Sequence, residues 1–317
     1  MLFRILKIPA KFALLIYCRK LHINNTAALA KKGPLLIAAN HPNSFLDAII
    51  LATLFKQPIY SLARGDAFKN KLVYKLLSAL NIMPVYRISE GAENLGENYN
   101  TFDKCKEIFK KNGIVLIFSE GLCINEWKLR KLKKGTARLA FSSWEDGIDL
   151  TILPIGINYH SFSSFGKNVQ LNIGNTFNWS DFDCKKIDGH TTNLFNEKLT
   201  NELQQLVIEI DSKDVEKIKN TFATTPSPYK KAALFFPSIV GKWMHAPLYI
   251  PIQKISWKKT ANTGHYDSVL AGLLFLLYPF YLIMIALLIY ISSSEWYWLL
   301  PFFILPFLAW SFVQNKE

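Results

Sequence analysis

An imidazole and a carboxylate leave the end of one apolar run together. In Ala39-Asn40-His41-Pro42-Asn43-Ser44-Phe45-Leu46-Asp47 the two are separated by five residues, directly after Leu35 to Ala38. The pairing suits general-base chemistry on a hydroxyl. A carboxylate bonded to one ring nitrogen fixes the tautomer and leaves the other nitrogen to take a proton. No enzyme nucleophile is signalled: there is no Gly-x-Ser-x-Gly elbow, and Ser44 and Ser119 come without a base of their own. A metal site is not expected either, because His22, His160, His190, His245 and His265 stand far from His41 and no His-x-x-x-His spacing occurs. Cys18, Cys105, Cys123 and Cys184 lack any Cys-x-x-Cys spacing, so neither a zinc cage nor a disulfide framework is signalled, and they fit a reducing compartment.

The elements that must hold such a dyad are readable as alternating strands and helices, the pattern of an α/β domain. Strands are expected over 34–39, 58–63, 82–86, 114–119, 150–158 and 169–173, and helices over 48–55, 71–80, 99–111, 134–144 and 192–210. Active residues of such sheets gather at the carboxyl ends of strands, and His41, Arg87 and Glu120 each follow one of these strands.

Four blocks between Asn40 and Asn158 carry a resemblance. The first is His41 with Asp47. The second is Gly65-Asp66-Ala67-Phe68 followed by Asn81-Ile82-Met83-Pro84-Val85-Tyr86-Arg87, the third Ile117-Phe118-Ser119-Glu120-Gly121-Leu122-Cys123, and the fourth Ile152-Leu153-Pro154-Ile155-Gly156-Ile157-Asn158. In this order and separation they resemble the glycerolipid acyltransferase family, whose first signature is His, four residues, Asp. Here the spacer is one longer, as in the branch that includes fungal glycerol 3-phosphate and dihydroxyacetone phosphate acyltransferases. The third block departs further, with Leu122 and Cys123 in place of a threonine and a phosphate-binding arginine.

The resemblance implies an α/β fold with a mixed sheet flanked by helices. It also implies a phosphate-binding role for Arg87, whose planar guanidinium matches phosphate with two hydrogen bonds. Glu120 is expected to order the site or the acceptor, and Gly121 to lend a backbone N–H to the oxyanion. Arg130, Lys133 and Lys134 fall among six basic residues between Lys128 and Arg138 and are expected to replace the missing arginine. Asn40 and Asn43 are expected to support the dyad. No cofactor is implied beyond an acyl-CoA or acyl carrier protein thioester as co-substrate.

Composition adds a membrane. Val269 to Ile291 gives 23 residues without charge and Trp296 to Val313 another 18, read as a transmembrane hairpin rather than a buried soluble one. Lys254, Lys258 and Lys259 precede the first span and no Lys or Arg lies in the turn, which places residues 1–268 on the cytoplasmic face, as in a bacterial inner membrane. The net charge of +13 then finds its counterpart in anionic lipid. Arg4, Lys7 and Lys11 among Leu2, Phe3, Ile5, Leu6, Ile8 and Phe12 describe an amphipathic helix lying on that surface. The expected organisation is a membrane-surface helix over 1–23, an acyltransferase domain over 24–222, a basic membrane-adjacent connector over 223–268 and two spans over 269–313.

The expected partners are membrane lipids, the acyl donor and a glycerol-phosphate or lysophospholipid acceptor. A hydrolase using the same dyad and a non-enzymatic lipid-binding scaffold remain as alternatives. Nucleic acid ranks last, because the aromatic residues are concentrated in apolar runs rather than interleaved with basic patches.

Overall fold

The five apolar residues from Leu35 to Ala39 form the middle strand of a sheet and are completely buried. Such an uninterrupted run is what a parallel strand covered on both faces requires. The computed structural model describes residues 2–86, 97–182, 188–224, 227–260, 263–293 and 296–316. In chain order the strands are β1 (Cys18–Ile23), β2 (Leu35–Ala39), β3 (Ile59–Arg64), β4 (Ile82–Val85), β5 (Ile114–Phe118), β6 (Thr151–Tyr159) and β7 (Lys167–Ile173). They are arranged β1-β7-β6-β2-β5-β3-β4 in one mixed sheet.

Strands β2 to β6 run one way, while β7 pairs antiparallel with β6, and β1 runs parallel to β7. This direction change matters for the site. The edge at which the chain leaves β2, β5 and β6 is also the edge at which it enters β1 and β7.

The helices are α1 (Leu2–Tyr17), α2 (Phe45–Leu54), α3 (Lys71–Ala79), α4 (Glu97–Lys110), α5 (Gly135–Glu145), α6 (Gly189–Leu206), α7 (Val215–Thr221), α8 (Pro228–Thr260), α9 (Tyr266–Ser293) and α10 (Pro301–Asn315). Leu14 of α1, Ile50 of α2 and Phe55 just after α2 cover one face of the sheet over Leu35, Ile37 and Leu153. Phe109 of α4, Leu139 of α5 and Phe195 of α6 cover the other over Leu36, Val115 and Ile152. The result is three layers around a doubly buried sheet.

Two expectations need correction. The surface helix expected over 1–23 stops at Tyr17, and Cys18–Ile23 is an edge strand in which Leu21 and Ile23 pack on the core while Lys20 and His22 are exposed. Its basic residues continue the positive charge of the helix and hide the change of period from 3.6 to 2. The connector expected over 223–268 is mostly one 33-residue helix, α8, with Pro237, Pro247 and Pro251 inside it. It packs on α9 and α10. At Gly241 an added Cβ would lie 2.3 Å from the Leu308 carbonyl oxygen, so only glycine lets α8 and α10 approach this closely.

Among the described residues, α9 is the one helix long and apolar enough to cross a membrane. The second expected span is a 3-10 turn, Trp296–Leu299, followed by the 15-residue α10. At ~1.5 Å per residue that helix covers roughly 22 Å, short of a ~30 Å hydrocarbon core.

Candidate active site

Asn40 carries the pairing of β2 one residue past its end. Its side chain donates to the Ile157 carbonyl (3.0 Å) and accepts from the Ile157 N–H (2.7 Å), imitating another rung of the parallel ladder. The chain then turns away from the sheet at His41. Asp47 lies in the first turn of α2, where the helix dipole favours a negative charge.

Asp47 is fully buried and surrounded by donors. Its Oδ2 meets His41 Nδ1 at 2.8 Å and accepts the Asn43 N–H at 2.8 Å, while Oδ1 accepts the Tyr159 hydroxyl at 2.7 Å. An ionised carboxylate only accepts, so Nδ1 carries the ring proton and Nε2 presents its lone pair. Burial and the Asp47 charge push the Tyr159 phenol well above its usual range, which keeps it a donor. The imidazole stacks on Phe118 with ring centroids 3.8 Å apart and planes 11° from parallel. Its side chain remains 18% exposed, so the ring is held on one side and open on another.

Glu120 is buried just after β5, and both its oxygens serve the backbone. Oε2 accepts the His41 N–H and Oε1 the Arg130 N–H, each at 2.8 Å. Burial pushes its carboxyl above the usual glutamate range, against the pull of those two bonds. Glu120 therefore orders the loops around the dyad. Gly121 has φ of +64° and gives its N–H to the Phe118 carbonyl (3.0 Å), which removes that N–H from the oxyanion role expected for it. The stem of Lys133 lies over Gly121, 3.0 Å from where a Cβ would stand.

Arg130 pairs with Glu126 at 2.9 Å and is half-buried, whereas Lys133 and Lys134 are exposed. All three belong to the loop between β5 and α5, on the edge that carries His41. Arg87 lies outside the described residues. The end of β3 adds a cation absent from the expected set: Arg64, bidentate to Asp66.

Further residues come to this edge from distant parts of the chain. Lys167, the first residue of β7, is fully buried and pairs with Asp267 at the start of α9. Burial pulls the Lys167 ammonium below its usual range, opposed first by Asp267 and more weakly by Cys18 and Asp47. Tyr17, at the end of α1, donates its hydroxyl to the same Asp267 carboxylate. Asn43 Nδ2 donates to Asp267 Oδ2 at 2.6 Å.

His265, which the sequence places far from the dyad, lies 2.7 Å from the Ser44 hydroxyl through Nδ1. Burial, and after it the neighbouring charges of Arg64 and His41, lower its pKa. No group of His, Cys, Asp and Glu able to hold a metal ion occurs among the described residues.

The geometry thus offers a primed imidazole, a buried counter-charge and nearby cations. Residues 20–158, which contain all four blocks, match the family model described as Acyltransferase. This domain belongs to the acyltransferase family. The match ends within β6, and Tyr159, Lys167 and Asp267 lie outside the matched segment. Among solved structures, the chain is similar to a 1-acyl-sn-glycerophosphate (LPA) acyltransferase, PlsC, from Thermotoga maritima, at 16% identity over 63% of this chain and 79% of that one, with a TM-score of 0.44. No curated protein matches the chain.

Proposed function

We propose that this acyltransferase moves a fatty acyl group from an acyl thioester, carried on CoA or acyl carrier protein, to a hydroxyl of glycerol 3-phosphate or a related lysophospholipid. The observation that carries the reading is the His41 ring, pinned through Nδ1 by a buried Asp47 and open to solvent on another side. Nε2 takes the hydroxyl proton as the oxygen attacks the thioester carbon. The tetrahedral intermediate collapses, the C–S bond breaks, and the proton passes from the imidazolium to the leaving thiolate. Lys167 and Asp267 neutralise one another, so the charge of Asp47 is left to balance the imidazolium. Arg130, Lys133 and Lys134 supply positive charge for the acceptor's anionic end, joined in this reading by Arg87 and Arg64.

We also read the chain as an integral membrane protein with its catalytic domain on the cytoplasmic face. α9 has the length and composition of a span. Apolar side chains are turned outward elsewhere too: Ile5, Ile8 and Phe12 on α1, and Leu72 and Leu76 on α3, flanked by Arg4, Lys11, Lys71 and Lys75. Large exposed apolar patches with basic flanks suit an anionic bilayer.

The test of the reading is a panel of acceptors. The full chain in vesicles receives labelled acyl thioester with glycerol 3-phosphate, with lysophosphatidic acid, or with neither. The expected result is a labelled ester that requires one of the acceptors. Labelled free fatty acid alone, formed equally with or without acceptor, would assign the dyad to hydrolysis instead.

A further inference from the structure

The five-residue loop between His41 and Asp47 is gripped from outside the acyltransferase domain, by the chain that enters α9. His265 Nδ1 meets the Ser44 hydroxyl at 2.7 Å. Ser268 Oγ accepts the Leu46 N–H and donates to the Asn43 carbonyl, both at 3.2 Å. Asp267 accepts from Asn43 Nδ2 at 2.6 Å, and the Asn43 backbone N–H in turn donates to Asp47. Asn43 is completely buried and joins the two carboxylates.

This grip answers a local strain. Ser44 has φ of 53° and ψ of −136°, a backbone setting that favours glycine and that a serine keeps only when its surroundings enforce it. The surroundings here are the entry to α9 on one side and Cys123, which accepts the Ser44 N–H at 3.0 Å, on the other. Asp267 is itself held in place by Lys167 and by Tyr17. The anchor of the loop is therefore built from the ends of three elements.

We propose that Asp267, at the start of the membrane-crossing helix, is a positioning residue of the dyad: it fixes Asn43, and Asn43 fixes the carboxylate that orients His41. The proposal rests on the acyl-transfer reading and makes the first turn of α9 part of the active site. Its consequence is that the acyltransferase domain reaches full turnover only with α9 docked.

The test uses the full chain in vesicles, assayed for ester formation per folded protein, with wild type and His41→Ala in parallel. Asn43→Ala cuts the link and leaves the Lys167–Asp267 pair intact. It is expected to lower kcat at least about tenfold, since small misplacements of a catalytic group cost up to about a hundredfold. KM for both substrates is expected to stay within about twofold, because the loop orients the base rather than binding substrate. Asp267→Asn/Lys167→Met keeps an oxygen for Asn43 and removes both charges together, and its kcat is expected within about threefold of wild type. Asp267→Ala/Lys167→Met removes that oxygen and falls with Asn43→Ala. Adding Asn43→Ala to it brings no further loss, as required of residues acting through one contact.

Wild-type kcat in Asn43→Ala, a change in KM alone, or a loss that merely tracks the amount of folded protein would overturn the proposal. Ester formation that survives in His41→Ala would instead overturn the acyl-transfer reading beneath it.

Discussion

Asp47→Asn is expected to lower kcat by about a hundredfold to ten-thousandfold, equivalent to roughly 2.7 to 5.4 kcal/mol of transition-state stabilisation. An asparagine here can keep its Oδ1 toward His41 Nδ1 and the Asn43 N–H and turn its Nδ2 to the Tyr159 hydroxyl, which accepts as well as donates. The hydrogen-bond geometry then survives and the charge does not. With Lys167 and Asp267 cancelling one another, the imidazolium forms without a counter-charge beside it. The loss appears in kcat at unchanged thermal stability. Turnover near the wild-type level would mean that Asp47 only shapes the loop.

The largest effect on stability is expected from Lys167→Met, at about 3 to 5 kcal/mol of destabilisation, because it leaves the Asp267 carboxylate buried without its cation. Tyr17 and Asn43 still donate to that carboxylate, but two neutral donors do not replace an ammonium in a medium that screens poorly. Combining it with Asp267→Asn removes the orphaned charge and is expected to recover most of the loss. The measurement is denaturant unfolding of the detergent-solubilised chain, compared between single and double variants. A single variant as stable as wild type would show that the pair contributes no net stability.

Both residues bear on how much of this molecule its sequence displays. The core strands were legible because parallel strands buried on both faces read as unbroken apolar runs, as from Leu35 to Ala39. The dyad was legible because its members are local, six positions apart on one turn. Tyr159, Lys167 and Asp267 were not, since they join the site only through the sheet order and the docking of α9.

Partial signals existed. Lys167 stands in phase with the inward-facing Val169, Leu171 and Ile173, and a lysine in a buried register requires a partner. Asp267 is an acid two residues before a 23-residue run without charge, where a carboxylate is costly unless paired. The strand β1 was obscured by Arg19 and Lys20, which extend the basic pattern of α1. Gly121 was assigned a free N–H that the turn after β5 consumes, a detail of backbone geometry that residue type does not encode.

The central claim is that the Nε2 of His41 removes the proton from an acceptor hydroxyl. It is tested most directly by following labelled acyl ester formation by the His41→Ala chain in vesicles, at matched amounts of folded, membrane-inserted protein. The account predicts ester at or below about 1% of the wild-type rate, the loss expected when a general base is deleted. Ester formation at the wild-type rate would contradict it.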